Sequence, residues 1–269
     1  GLEFILPLVR TRRQHALSFG YEWKEVSALS QILPSPEKPW AVYLPPLPFE
    51  GVLASGRASY LFNNAQRYPF SISPESGRTI ELGYERFDTS VGSDLELYKY
   101  TADWHEYISV PWPHHVLQVR GFAGTSTGQR IPQSAFQLGG DMPGDVTLSV
   151  DDRDVHLRGY PSAEFRGRKV GLLSLEYRLP FLNIEGGAGH KPFFLRRLHG
   201  ALFAEAGNAW DAGGVHASDF KRSVGAETRL DLDFAYGLIP LTLRLGAAKG
   251  LDEEGIWQFI LNAWVPIGF

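Results

Sequence analysis

Between residues 169 and 181 the chain reads KVGLLSLEYRLPF, and its side chains alternate strictly. Leu173, Leu175, Tyr177, Leu179 and Phe181 fall on one face of an extended strand, while Ser174, Glu176 and Arg178 fall on the other. One face is apolar and the other charged. Two settings accommodate that pattern: a sheet with one wet face, or a barrel whose outside meets lipid and whose inside holds water. The same period recurs along the chain. His15, Leu17, Phe19, Tyr21 and Trp23 oppose Ala16, Ser18, Gly20, Glu22 and Lys24, and Val224, Ala226, Thr228, Leu230, Leu232 and Phe234 oppose Ser223, Gly225, Glu227, Arg229, Asp231 and Asp233. The chain closes on WQFILNAWVPIGF, with Trp257, Phe259, Leu261, Ala263, Val265, Ile267 and Phe269 on one face. No segment carries a helical period.

Composition narrows the setting. No run of eighteen apolar residues exists, which excludes a transmembrane helix but not a barrel, whose strands need only about 10 residues each. The absence of cysteine rules out disulfides and thiolate metal sites and suits passage through an oxidising periplasm. Net charge is −4 and the 26 basic residues form no block, so nucleic acid is not an expected partner. The opening GLEFILPLVR has neither a basic n-region nor a cleavage site, so an export signal is expected upstream of Gly1.

Alternation and turn signals predict strands at 2–9, 15–24, 51–63, 79–88, 94–108, 115–124, 169–181, 197–208, 222–234, 239–248 and 257–269. The fifth loses its alternation near Trp104 to Glu106 and is expected to bulge there. A twelfth strand at Trp40 to Leu44 is an alternative within the proline-rich stretch 27–50. If the C-terminal end lies in the periplasm, the long connections 26–50, 125–168 and 209–221 all lie outside, as barrels require. An odd count then calls for at least one strand before Gly1.

The order LRGY at 157–160, SLEYRLP at 174–180, FAEAGNAW at 203–210 and a last strand ending on an aromatic resembles the barrel of the BamA, TamA and FhaC superfamily. The likeness is close over residues 114–269 and loose before them. It implies an all-β, antiparallel transmembrane β-barrel forming one domain over 1–269, with about 11 or 12 strands here out of about 16 in the whole barrel. It implies that Arg158, followed by Gly159 and Tyr160, tips a long loop at about 125–168 that folds back into the lumen and meets Glu176 and Glu205. The family usually has aspartate where FAEAG supplies Glu205, which adds a methylene to the pairing. Phe269, with Trp257 and Phe259, would belong to the signal by which the assembly machinery recognises a barrel.

The function implied is non-enzymatic assistance to insertion or export of polypeptides at the outer membrane of a Gram-negative bacterium. Partners would be outer-membrane lipids, client polypeptides, the barrel-assembly machinery and any upstream part of the same protein; no cofactor is implied. Two alternatives stay open. The barrel could anchor or export a fused upstream hydrolase or propeller-like domain, as the SISPESGRT stretch at 71–79 suggests, or it could be a passive pore.

Other motifs read as structure. GTSTG at 124–128 matches a nucleophile elbow in letters, but no helix follows it. His114 and His115 lie in a PWPHH turn with no carboxylate pattern beside them, and HExxH is absent. Asp145, Asp151, Asp152 and Asp154 lack the fixed spacing of a calcium loop and read as a solvated face.

Overall fold

The structure, a computed structural model, describes residues 1–27, 49–141, 154–187, 189–211, 213–235 and 237–264. Eleven strands form one antiparallel sheet in which each strand pairs with its neighbours in chain order. They are β1 (Leu2–Arg10), β2 (Arg13–Val26), β3 (Gly51–Asn63), β4 (Gly77–Phe87), β5 (Leu97–Ser109), β6 (Val116–Gly128), β10 (Lys169–Gly187), β11 (Phe193–Trp210), β12 (Lys221–Phe234), β13 (Ile239–Gly250) and β14 (Trp257–Trp264). The three intervening strands, β7 (Phe136–Leu138), β8 (Asp154–Val155) and β9 (Phe165–Gly167), form a small sheet inside the β6–β10 connection. The proposed strand at Trp40 to Leu44 lies outside the described residues.

Burial is inverted relative to a water-soluble sheet. Leu173 and Leu175 are exposed on β10, as are Leu202 on β11 and Leu245 on β13 at 64 %. Their polar neighbours Glu176, Arg178, Glu205, Glu227, Arg229 and Arg244 are buried on the opposite, inner face. Charged side chains are almost never the buried set unless they pair with one another, and an apolar exterior around a polar interior is the pattern of a transmembrane barrel.

The expected bulge in β5 is absent. That strand pairs without a register shift from Leu97 to Ser109 with both β4 and β6. The polarity pattern breaks because Glu106, on the outer face, accepts hydrogen bonds from Arg78 and from the Trp104 indole. An outward ion pair beside a tryptophan marks the edge of the apolar belt, not a change in backbone. The register shifts sit elsewhere, at Pro180/Leu182 and Asn183/Gly186 on the β10–β11 ladder and at Leu195/Arg197 on the β11–β12 ladder. β10 and β11 also run past the expected ends, to Gly187 and back from Phe193.

The β3–β4 connection is more than a tight turn. Residues 64–76 fold as an ordered excursion held by a bridge between Gln66 and Ser76, with Ser71, Ile72 and Ser73 buried. Its tip reaches the far wall, where the Arg197 guanidinium on β11 donates to the Ser71 carbonyl. Its return limb meets the β5–β6 turn, where His114 Nδ1 lies 2.7 Å from Glu75 Oε1 and Ser109 donates to the Glu75 carbonyl. His114 therefore does have a carboxylate neighbour, brought from 39 residues away by the topology.

Candidate functional site in the lumen loop

The β6–β10 connection carries its own core. Phe136, Leu138, Val155, Leu157 and Tyr160 bury themselves together against Val170 and Leu172 of β10. Ser126, the central residue of GTSTG, sits in β6 and donates to the carbonyls of Ser134 and Arg168. It is strand structure that holds the loop base, and no helix leaves it. Asp145, Asp151 and Asp152 lie outside the described residues, and Asp154 opens β8.

This core delivers Arg158 to the inner wall, buried at 8 % exposure. Its backbone N–H donates to Glu205 Oε2 at 3.0 Å and its Nε to Glu205 Oε1 at 3.0 Å, with Nη2 on the same carboxylate oxygen. Nη2 also lies 3.5 Å from Glu176 Oε2, and Nη1 lies 3.4 Å from Glu227 Oε2. The guanidinium carbon sits 3.4 Å from the centre of the Phe203 ring. A planar cation is thus sandwiched between an aromatic face and three carboxylates, an arrangement that suits arginine's fork and that a lysine ammonium cannot reproduce.

The register explains the seat. Phe203 on β11 lies opposite Glu176 on β10 and opposite Gly225 on β12, while Glu205 lies opposite Ser174 and Ala201 opposite Glu227. The three acids therefore surround one ring. A Cβ at Gly225 would stand 2.3 Å from the ring's Cζ, so the ring lies flat only because residue 225 has no side chain. Around this centre, Arg178 donates to Glu176, and Arg229 and Arg244 donate to Glu227; Arg244 also holds Asp141 at 3.0 Å. Four guanidiniums (158, 178, 229, 244) meet four carboxylates (141, 176, 205, 227), and the cluster is neutral in sum. Desolvation opposes such a cluster as strongly as attraction favours it, so its yield is position rather than stability.

Gly159 and Tyr160 lock the tip from the side. Gly159 has φ +85°, its N–H donates to Gln258 Oε1 of β14 at 2.8 Å, and its carbonyl accepts from the Ile256 N–H at 2.9 Å. A Cβ there would stand 2.5 Å from the Gly250 nitrogen. The Tyr160 hydroxyl donates to the Arg222 carbonyl at 2.7 Å and lies 3.0 Å from Asp252 Oδ2. Burial, with the Asp252 carboxylate beside it, pushes the Tyr160 phenol up to about 12. Burial also works against ionising Asp252, yet donation from the Arg222 N–H and the Tyr160 hydroxyl holds its carboxyl below the usual range.

The structure therefore brings Arg158, Glu176 and Glu205 together and places Gly159 and Tyr160 on β12–β14. Sequence reasoning missed Glu227, Phe203, Asp141, Asp252 and Gln258. For Glu227 the signal was present, since alternation puts it on the same inner face. Trp257 and Phe259 are exposed on the outer face, and Phe269 lies outside the described residues. Among those residues no group of His, Asp or Glu is arranged to hold a metal ion.

No curated protein matches this sequence. Among solved structures the fold is similar to BamA from Haemophilus ducreyi lacking POTRA domains 1-3, with a TM-score of 0.59 and 15 % sequence identity, a likeness of fold alone. It covers 97 % of this chain and 53 % of that one, so this chain spans about half the length of the protein it matches. The Omp85 superfamily domain matches residues 3–262, nearly the whole of the sheet and all of the Arg158 seat, and on that match the chain belongs to the Omp85 superfamily.

Proposed function

We propose that the protein is a non-enzymatic outer-membrane barrel of a Gram-negative bacterium that assists other polypeptides to insert into or cross that membrane. The reading rests on family membership, and the observation that carries it is the three-carboxylate seat of Arg158. A loop with its own core, docked by one buried guanidinium on an otherwise polar wall, is a part whose position matters. In this reading Arg158, Gly159 and Tyr160 fix the loop against Glu176 and Glu205, Glu227 completes the seat, and the outward Trp257 and Phe259 with Phe269 form the assembly signal. Clients and the assembly machinery are the partners, and the strands continue upstream of Gly1 in a barrel of about 16.

The experiment is replacement of the chromosomal gene by an Arg158→Ala version. Outer-membrane levels of the folded protein should stay near normal while client assembly or secretion falls. Normal client handling by that strain would remove the loop seat from the mechanism.

A further inference from the structure

The β1–β2 hairpin carries three guanidiniums in four residues, Arg10, Arg12 and Arg13, all exposed. Arg10 and Arg13 stand directly opposite one another in the ladder, where like charges destabilise a pair. Among the described residues no carboxylate lies within ion-pairing distance of any of the three, unlike Arg57, Arg78, Arg86 and Arg120, each of which has one. Among the described residues nothing compensates this repulsive pair.

Position explains what could compensate it. Arg10 and Arg13 share a face with Leu8, Leu6 and Phe4 on β1 and with His15, Leu17, Phe19 and Tyr21 on β2, and the exposed Phe19, Tyr21 and Trp23 identify that face as the outer one. Ten residues separate Trp23 from Arg13, roughly 34 Å of strand. At a tilt of about 40° this is about 26 Å along the membrane normal, against an apolar band of about 25 Å between aromatic girdles. The pair therefore sits one band height from Trp23, at the level of the other leaflet's headgroups. His15, in contact with the Tyr60 hydroxyl at 2.8 Å and tilted against the Phe62 ring at 5.0 Å, forms the aromatic ledge just inside it.

We infer that the Arg10–Arg12–Arg13 hairpin is a docking site for the phosphate of an anionic phospholipid in the periplasmic leaflet, with Leu6 and Leu8 along its acyl chain. Guanidiniums that face each other across a ladder can each present two N–H groups to a phosphate diester between them. The leaflet follows from the orientation proposed above; binding itself does not, and can be read in micelles without reference to either leaflet.

The test is native mass spectrometry of the purified protein in mixed micelles holding equal phosphatidylglycerol and phosphatidylcholine. The wild type should retain phosphatidylglycerol preferentially. Arg10→Ser should lower that preference about fivefold and R10S/R13S about 25-fold, from the ~1 kcal/mol that one basic residue gains near an anionic surface. R10K/R13K, which keeps the charge and serves if the serine variant does not fold, should lose only the paired-donor part, a few-fold. Arg166→Ser with Arg168→Ser, on the other side of the barrel, should change nothing. Equal retention by R10S/R13S would overturn the assignment. So would an equal loss in the Arg166 and Arg168 variant, or full displacement of the lipid by inorganic phosphate, which would make the hairpin a bare anion site.

Discussion

Arg158 is held by contacts that differ in kind, and substitutions should separate them. Arg158→Ala removes one cation from a buried set of four and leaves Glu205 with two neutral donors, the residue-158 backbone N–H and the Ser174 hydroxyl, which lies 3.1 Å from Oε1. Removing one partner of a buried pair costs about 3–5 kcal/mol, and here that cost falls on loop docking, so proteolysis within the loop should accelerate at least a hundredfold while the barrel stays folded. Arg158→Lys restores charge without the fork and should recover only part of that protection. Gly159→Ala tests geometry alone: a left-handed backbone and a Cβ against Gly250 should cost about 1–3 kcal/mol of docking, read by the same proteolysis with all charges intact. Arg158, Glu176 and Glu205 were legible because each lies in a short motif. Phe203 and Gly225 were not, since a ring lying over a glycine on the next strand depends on register, which alternation leaves undetermined.

At the scale of elements, the loop is fastened twice, by Arg158 to β10–β12 and by Tyr160 to the β12 and β13–β14 ends. The second fastening depends on pH. Tyr160 is raised in the folded state, so its contribution is complete below about pH 10 and is lost as pH rises through about 12. Asp252 is lowered, so its contribution is complete above about pH 4 and is lost as pH falls through the folded value. Amide protection factors of residues 157–160, corrected for the intrinsic pH dependence of exchange, should be highest between those limits, and Tyr160→Phe should flatten the alkaline limb. The strands themselves were readable from alternation to within a few residues at most ends. The β5 bulge was misread because a polar outward residue near a membrane boundary looks, in sequence, like a slipped register. The lengths of β10 and β11 escaped because register shifts at Pro180/Leu182, Asn183/Gly186 and Leu195/Arg197 break the alternation there.

Across the whole molecule, the exposed leucines are the strongest claim on a bilayer. Leu245→Arg, placed near the middle of that belt, should destabilise the protein by about 2–4 kcal/mol in liposomes, measured by reversible urea unfolding, and should cost far less in detergent. A result equal in both media would mean that hydrocarbon does not surround this face. The reach of residues 64–76 from β3–β4 to Arg197 was not legible, because SISPESGRT contains nothing that points across a lumen; only the curvature of the sheet brings Ser71 and Arg197 together. That reach also sets how ions would traverse the interior. The described part of the long loop seats on the inner face through Arg158 and the 64–76 excursion reaches the inner face at Arg197, so ions crossing the interior would meet two obstacles in series, and if each stands aside about 1 % of the time independently, both do so only about once in ten thousand. Excising either segment alone should therefore leave planar-bilayer currents small and flickering, and only the double deletion should pass a steady current.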